Sequence, residues 1–257
     1  MGEGGTHRAD HLGWQDGARR GLVPRCGRII DVGTGDGRLP AFLLEEGACA
    51  RALALDISPY AVEAARSLFA VRGLAARAEA ALKDGLAGVA VGPGDVVVVA
   101  GMGGHSIRGV LAGSDGGAAN ARKLILCPHG RPGPLRRWLY AMGYSADRES
   151  LCRHKGRLYA VIEATHKGAP RDLDEAEAEY GLMVAWDSGS PFGEMLRRRS
   201  VLIGRELAAM PPGGAGRMEA ASGKRAMLEL TLRWEADWER RSGRAPTPGP
   251  DRPRVGG

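Results

Sequence analysis

The sequence is poor in aromatic residues and contains no long apolar run. Phe, Trp and Tyr make up 5% of its 257 residues, so the 44% of hydrophobic residues are supplied largely by Ala, Leu and Val. Its uncharged apolar runs are far shorter than the roughly 18 residues that a membrane span requires. A chain of this length can bury a core without disulfide bonds. We therefore expect a globular protein with small core side chains and no membrane span or membrane partner.

Cysteine is scarce as well. The four cysteines are spread along the chain, and no two of them form a Cys-x-x-Cys pair. This spacing suits a reducing compartment and argues against structural zinc. The first 16 residues are glycine-rich and polar, and they lack the apolar segment of a secretory signal. We expect a cytoplasmic protein that needs no metal.

The charge of the chain is mildly positive. The formal net charge is +6, and an acidic joint at residues 171–190 separates two basic regions. A basic balance raises the local concentration of polyanions without specifying which polyanion binds.

Residues 28–163 alternate short β-rich runs with longer helical patterns, which is typical of a parallel sheet covered by helices on both faces. A run of four Val within residues 96–100 predicts a central strand buried on both sides. The segments 144–153 and 157–163 predict a late hairpin with its turn at 155–156. The remaining predicted strands are 28–32, 50–56, a third strand shortly before Asp84, and 123–127.

Beyond Pro170 the pattern becomes helical. Leu196, Ile203, Leu207 and Met210 form one apolar stripe, and a second stripe is formed by Met227, Leu230, Trp234 and Trp238. A Pro- and Gly-rich turn at 211–214 lies between them and predicts an antiparallel, coiled-coil-like helical hairpin. We divide the chain into a flexible or helical lead (1–23), a cofactor-binding sheet domain (24–168), a helical domain (169–241) and a disordered tail (242–257).

Gly33, Gly35 and Gly37 follow the first strand directly, so that backbone can approach a ligand closely. The nicotinamide fingerprint requires a glycine at position 38, where this chain has Arg38, and an oxidoreductase is therefore disfavoured. Asp31 and Asp36 would repel a pyrophosphate. They would not repel a cationic cofactor such as S-adenosylmethionine, which carries an ammonium and a sulfonium. Asp31 either accepts from that ammonium or holds the loop.

Two further acids follow strands. Asp56 ends the second strand, where an acidic side chain can bind both ribose hydroxyls of an adenosine cofactor. The alternative is an acid at a helix entry, since Ser58 and Pro59 predict a helix start immediately afterwards. Asp84 is placed to bond an adenine amino group, although Asp-Gly is also a common turn.

Gly101, Met102, Gly103 and Gly104 follow the four-Val strand and are expected at its carboxyl end, beside the first glycine turn. The small residues would let a flat base or a methyl group approach the backbone, whereas the alternative is a flexible strand exit. His105 and His129 are expected near the same crevice. Either histidine can act on protons or be structural.

Three motifs carry a family resemblance: residues 31–40 (DVGTGDGRLP), 99–104 (VAGMGG) and 124–128 (LILCP). Together they resemble the bacterial tRNA (adenine-22-N1)-methyltransferase family, the TrmK type, over about residues 24–210. The resemblance implies a class I methyltransferase fold of the Rossmann-like kind and S-adenosylmethionine as cofactor. It also implies a helical hairpin that helps to hold tRNA, and methylation of an adenine N1.

The site residues differ from the family pattern at two positions. The family commonly has an Asp-His pair where this chain has Gly35-Asp36, so the carboxylate stands one residue later. The family's Asn after the later strand is His129 here. We assign Asp36 and His129 as catalytic candidates, Gly101 and Met102 as cofactor contacts, and Gly103, Gly104 and His105 as substrate contacts. Arg197, Arg198 and Arg205 are expected either to bind phosphates or to form a solvated helix face.

The alternatives are a class I methyltransferase that acts on a small molecule or protein, and a non-catalytic RNA-binding relative. A monomer or a weak homodimer is expected in each case.

Overall fold

The computed structural model describes residues 23–154, 157–186, 190–211 and 215–243. The predicted lead and tail lie outside these ranges except for residues 23, 242 and 243, and so does the predicted turn at 155–156. Among the described residues, no helix combines the length and the apolar character that crossing a membrane requires. No group of three or more His, Cys, Asp or Glu side chains in these ranges is placed to hold a metal ion.

The described residues contain a seven-stranded sheet with the order β3-β2-β1-β4-β5-β7-β6. Strands β1 to β5 are parallel, and β7 runs antiparallel to both β5 and β6. The predicted parallel sheet with a late hairpin is confirmed. The strands are β1 Cys26–Val32, β2 Cys49–Asp56, β3 Ala78–Leu82, β4 Asp95–Gly103, β5 Lys123–His129, β6 Tyr144–His154 and β7 Arg157–His166.

Helices cover both faces of this sheet. Ile29 of β1 packs into the same apolar cluster as Val96 and Val98, whereas Ile30 packs with Val97 and Val99 on the other face. Successive strand residues point to opposite faces, which explains why a continuous Val run marks a strand buried on both sides. The helices are α1 Arg38–Glu45, α2 Pro59–Val71, α3 Gly104–Ala112, α4 Gly133–Ala141, α5 Glu175–Tyr180, α6 Phe192–Ala208 and α7 Ala215–Ser242.

A buried ion pair joins α4 to the sheet and to α5. The Arg136 guanidinium donates to the Glu149 carboxylate of β6 at 2.6 Å, and both side chains are almost completely buried. Arg136 also donates to the carbonyl oxygens of Ala178 and Glu179 at 3.0 and 2.7 Å. The acidic segment around α5 is thereby fixed to the sheet domain.

The chain divides into two compact units between Ala185 and Trp186. The sequence predicts this boundary earlier, at residue 168, because nothing in the local pattern reveals that Arg136 holds the α5 segment. The first unit therefore includes α5, and the second contains α6 and α7.

The second unit is an antiparallel helical hairpin, as expected. Phe192, at the start of α6, packs edge-on against Trp238 near the end of α7, with ring centroids 5.1 Å apart. At the other end, Glu206 of α6 pairs with Lys224 of α7. Gly193 lies where a Cβ would come within 2.9 Å of the Trp238 indole, so the two helices approach closely at this point.

Candidate active site

The glycine turn after β1 has a backbone that favours glycine. Gly33, Gly35 and Gly37 have φ angles of +75°, +58° and +76°. Residues with a Cβ rarely adopt such positive φ angles. A Cβ on Gly37 would come within 2.8 Å of the Ala65 Cβ atom, and a Cβ on Gly33 within 2.8 Å of the Met102 methyl group. The turn therefore packs against α2 on one side and against the end of β4 on the other.

Asp31 lies beneath this turn and is 3% exposed. The Thr34 hydroxyl donates to its carboxylate at 2.7 Å. Of the two roles expected for Asp31, holding the loop is therefore observed. Its role as an acceptor for an ammonium group stays a prediction.

Asp56 connects the glycine turn to the start of α2. Its carboxylate accepts from the backbone amide of Gly35 at 2.9 Å and from that of Ser58 at 2.9 Å. Ser58 caps α2 by accepting from the Ala61 amide, and Pro59 is the first helical residue, as predicted. Each carboxylate oxygen has capacity for a second donor, so Asp56 can hold the loop and still accept from a ligand.

The third predicted acid, Asp84, is exposed two residues beyond the end of β3. Its neighbour Lys83 donates a backbone hydrogen bond to the Asp56 carbonyl oxygen at 3.0 Å, so the two strand ends are directly connected. Asp84 is thus at the same sheet edge as Asp56. Its bond to an adenine amino group remains a prediction.

Large apolar side chains near these acids are exposed, and the sequence pattern does not predict this exposure. Ile57 is 70% exposed and Leu82 is 54% exposed, although both are large aliphatic residues at strand ends. Tyr60, in the first turn of α2, is also largely exposed. The one signal in the sequence is position, because Ile57 directly follows the acid that ends β2.

The end of β4 differs from the prediction in one respect. The sequence predicts that this strand ends before Gly101, but β4 continues to Gly103 through a bulge. Gly101 is the extra residue, with a φ of +76°, and Met102 and Gly103 resume the pairing opposite Pro128 and His129. A glycine with positive φ is what such a bulge requires. The bulge brings Met102 against Gly33.

Asp36 and His129 lie on opposite sides of this bulge, because β4 separates β1 from β5. Asp36 Oδ2 pairs with Arg38 at 2.8 Å, while Oδ1 is buried without a hydrogen-bond partner among the described residues. His129 is exposed, and its ring centroid lies 5.2 Å from that of Tyr159 on β7. Gly104 and His105 open α3, and the His105 side chain is exposed.

Two thiols lie next to the strand positions of His129 and Tyr159. The Sγ atoms of Cys127 and Cys152 are 4.0 Å apart. The hydrogen bond between them raises the pKa of the Cys127 thiol well above its ordinary value, with burial adding to the effect. The same bond lowers the pKa of Cys152. The Cys152 thiol is therefore the more readily ionised member of this pair.

Two of the three arginines expected to bind phosphates pair with acids of the helical unit. Arg198 pairs with Glu194 at 2.8 Å, and Arg197 lies 3.8 Å from Glu239. Arg205 is exposed in the last turn of α6. Arg198 and Arg205 are both exposed, so phosphate contact stays a prediction for these arginines, and so does the solvated-face alternative.

Comparisons with known proteins agree with this geometry. A family model described as a methyltransferase domain matches residues 20–162, more than half of the chain. The chain belongs to this methyltransferase-domain family. The match spans β1 to β5 and most of the β6–β7 hairpin, and so includes the glycine turn, Asp56, the β4 bulge and His129.

Individual relatives are more distant. The tRNA (adenine(22)-N(1))-methyltransferase of Bacillus subtilis is 25% identical over 162 residues, which cover 63% of this chain and 68% of the relative. The structure of M. capricolum TrmK with S-adenosyl-homocysteine is 20% identical, with a TM-score of 0.73 over 87% of this chain and 96% of that chain. The crystal structure of the B. subtilis tRNA methyltransferase TrmK has a TM-score of 0.67 at 20% identity, over 83% and 95% of the two chains.

Proposed function

We propose that this protein transfers a methyl group from S-adenosylmethionine to N1 of an adenine in tRNA, at position 22. The observation that carries the proposal is the match of 162 residues to the tRNA (adenine(22)-N(1))-methyltransferase of B. subtilis. The acids and glycines at the ends of β1, β2 and β4 support it, because they form a site suited to a cationic nucleoside.

The residues at this edge fit the cofactor. The glycines of the turn have no Cβ, so a ligand can approach their backbone closely, and the Asp56 carboxylate, half-buried at the end of β2, would accept from the ribose hydroxyls. Asp31 would face the ammonium group, and Asp84 with Ile57 would bind the adenine. When bound, S-adenosylmethionine supplies an electrophilic methyl group on a sulfonium.

The protein has a limited chemical task in this reaction. The adenine N1 attacks with its own lone pair, so alignment of the two reactants and exclusion of water matter more than a strong base. The small residues Gly101, Gly103 and Gly104 would let the flat base approach the backbone, next to Met102 and His105.

Asp36 is the candidate proton acceptor. Methylation at N1 leaves a positive charge on the base and acidifies its exocyclic amine. The Asp36 side chain is 40% exposed, and its carboxylate would accept a hydrogen bond from that amine and take up its proton. His129, on the other side of the bulge, would contact a base edge. The adenine must leave its stack to reach these groups, as bases do for other modifying enzymes.

Incubation with S-adenosylmethionine labelled in its methyl group tests the proposal against the alternatives. The proposal predicts label in bulk bacterial tRNA, recovered as 1-methyladenosine after digestion to nucleosides. Label in protein or small molecules alone would favour a different methyltransferase. Cofactor binding by calorimetry without transfer to any substrate would favour a non-catalytic relative.

A further inference from the structure

The β6–β7 hairpin places two further side chains beside the site. Leu124 and Leu126 of β5 pair with Ala164 and Ile162 of β7 in antiparallel register. Continued by three residues, this register puts His129 level with Tyr159, and the contact between the two rings agrees with it. The start of β7 therefore lies at the sheet edge where β1, β4 and β5 end.

Arg157 shares a face of β7 with Tyr159. Residues two apart in a strand point to the same side, about 7 Å apart along the chain. The side facing His129 thus carries Tyr159 and, one step further out, Arg157. Tyr159 is half-buried and packs against the core cluster, so its ring is held in place. Arg157 is exposed.

The positive charge of the β6–β7 hairpin around Tyr159 favours an anionic ligand. Residues 150–162 contain Arg and Lys and no Asp or Glu, whereas the other side of the site carries Asp31, Asp36, Asp56 and Asp84. A cationic cofactor is attracted to the acidic side, and a polyanion is attracted to the side of the hairpin. An aromatic ring next to a guanidinium is a combination that binds unstacked nucleotides through stacking and phosphate contacts.

We infer that Tyr159 and Arg157 form a nucleotide subsite for the RNA substrate: Tyr159, beside His129, stacks on the unstacked base, and Arg157 binds a phosphate of the same segment. This inference rests on the proposed function and deepens it, because it locates the RNA contact on the catalytic unit.

The test measures tRNA binding by fluorescence anisotropy over a range of salt concentrations, using the full-length protein saturated with S-adenosyl-homocysteine. Arg157→Ala should weaken binding and reduce the slope of log K against log salt by about 0.7 to 0.9, the contribution of one phosphate contact. Arg51→Ala is the matched control, since Arg51 is exposed on β2 in the half of the strand far from Asp56. Its slope should equal that of the wild type.

Tyr159 is tested with a pair of variants. Tyr159→Leu keeps apolar packing and loses stacking, and should weaken tRNA affinity about 5- to 150-fold, the range expected for one stacked base. Tyr159→Phe keeps the ring and should restore most of that loss. Both should bind S-adenosyl-homocysteine like the wild type, which shows that the domain is folded.

The possible results separate the two proposals. A wild type that methylates tRNA while Arg157→Ala and Tyr159→Leu bind tRNA normally would overturn the subsite and leave the proposed function intact. Equal losses in Tyr159→Phe and Tyr159→Leu would overturn the stacking role. A wild type that neither binds nor methylates tRNA would overturn both proposals.

Discussion

The backbone amide of Gly35 donates to the Asp56 carboxylate at 2.9 Å, so the glycine turn after β1 and the acid that ends β2 form one rigid unit. The same carboxylate accepts from Ser58 at the start of α2. Asp56 therefore orders the loop that a cofactor must contact, before any cofactor binds.

Replacing Asp56 by alanine should lower the affinity for S-adenosylmethionine about 10- to 100-fold, because the loop loses its anchor and the ribose loses a charged acceptor. Isothermal calorimetry measures this directly. Asp172→Ala, at an exposed acid in the joint, is the control and should bind normally. Equal affinities in the two variants would contradict the role of Asp56.

Gly33→Ala should also weaken cofactor binding. The new methyl group would collide with the Met102 side chain. Alanine would also be strained at the φ of +75° that Gly33 adopts. Gly47→Ala is a matched control, since its φ is +64° but nothing lies within 4 Å of the added Cβ. Both variants should lose some stability through backbone strain. Only Gly33→Ala should lose affinity for S-adenosylmethionine in calorimetry. An equal loss in Gly47→Ala would show that the contact of Gly33 with Met102 is not the cause.

The architecture could be predicted from local patterns, whereas several contacts could not. The Val run at 96–100 alternates between two clusters, and this alternation suffices to place a central strand. The bulge at Gly101 follows from pairing with β5, and the burial of Arg136 depends on Glu149 in a strand distant in the sequence. Neither appears in the local periodicity.

The buried face of α7, the second helix of the hairpin, also could not be predicted correctly from local periodicity. The sequence predicts an apolar stripe of Met227, Leu230, Trp234 and Trp238. In the structure the buried positions are Leu228, Thr231, Glu235 and Trp238, so the packed face is rotated from the predicted one. The rotation buries a threonine and a glutamate, and apolar periodicity gives no weight to either residue type.

Arg136→Met should destabilise the sheet domain by about 3 to 5 kcal/mol, because it leaves the Glu149 carboxylate buried without its cation. Burial already raises the pKa of Glu149 despite the attraction of Arg136, and loss of Arg136 should raise that pKa further. A raised carboxyl pKa in the folded state means that stability falls as pH rises from the ordinary Glu value through the raised one.

Urea unfolding at pH 5 and at pH 8 checks this prediction. Arg136→Met should be less stable at pH 8 relative to the wild type than at pH 5. Adding Glu149→Gln should remove most of that extra pH dependence. If the single and double variants showed the same pH dependence, Glu149 would not be its source.

The cysteines should differ in reactivity. Burial raises the pKa of Cys26 to about 11 and that of Cys49 to about 12, so their thiolates are rare near neutral pH. The hydrogen bond with Cys127 lowers the pKa of Cys152, so Cys152 should be alkylated first by iodoacetamide at pH 8. Peptide mass spectrometry identifies the modified site. Faster modification of Cys26 or Cys49 in the folded protein would contradict this order.

Asp36→Asn should slow turnover by up to about 100-fold, the low end for a group that transfers a proton, while the KM for S-adenosylmethionine stays unchanged. The amide keeps the size of the side chain and an acceptor for Arg38 but cannot take up a proton. Steady-state kinetics with tRNA separates kcat from KM. An unchanged kcat would remove Asp36 from the chemistry.

Methylation of N1 of adenine 22 in tRNA is the activity that we propose for this protein. The most direct measurement incubates the full-length protein with S-adenosylmethionine and a bacterial tRNA transcript, and maps 1-methyladenosine by mass spectrometry of ribonuclease fragments. We expect 1-methyladenosine at position 22 and none in a transcript in which that adenine is replaced by guanine. Methylation elsewhere, or none by a folded protein that binds the cofactor, would contradict the proposed activity.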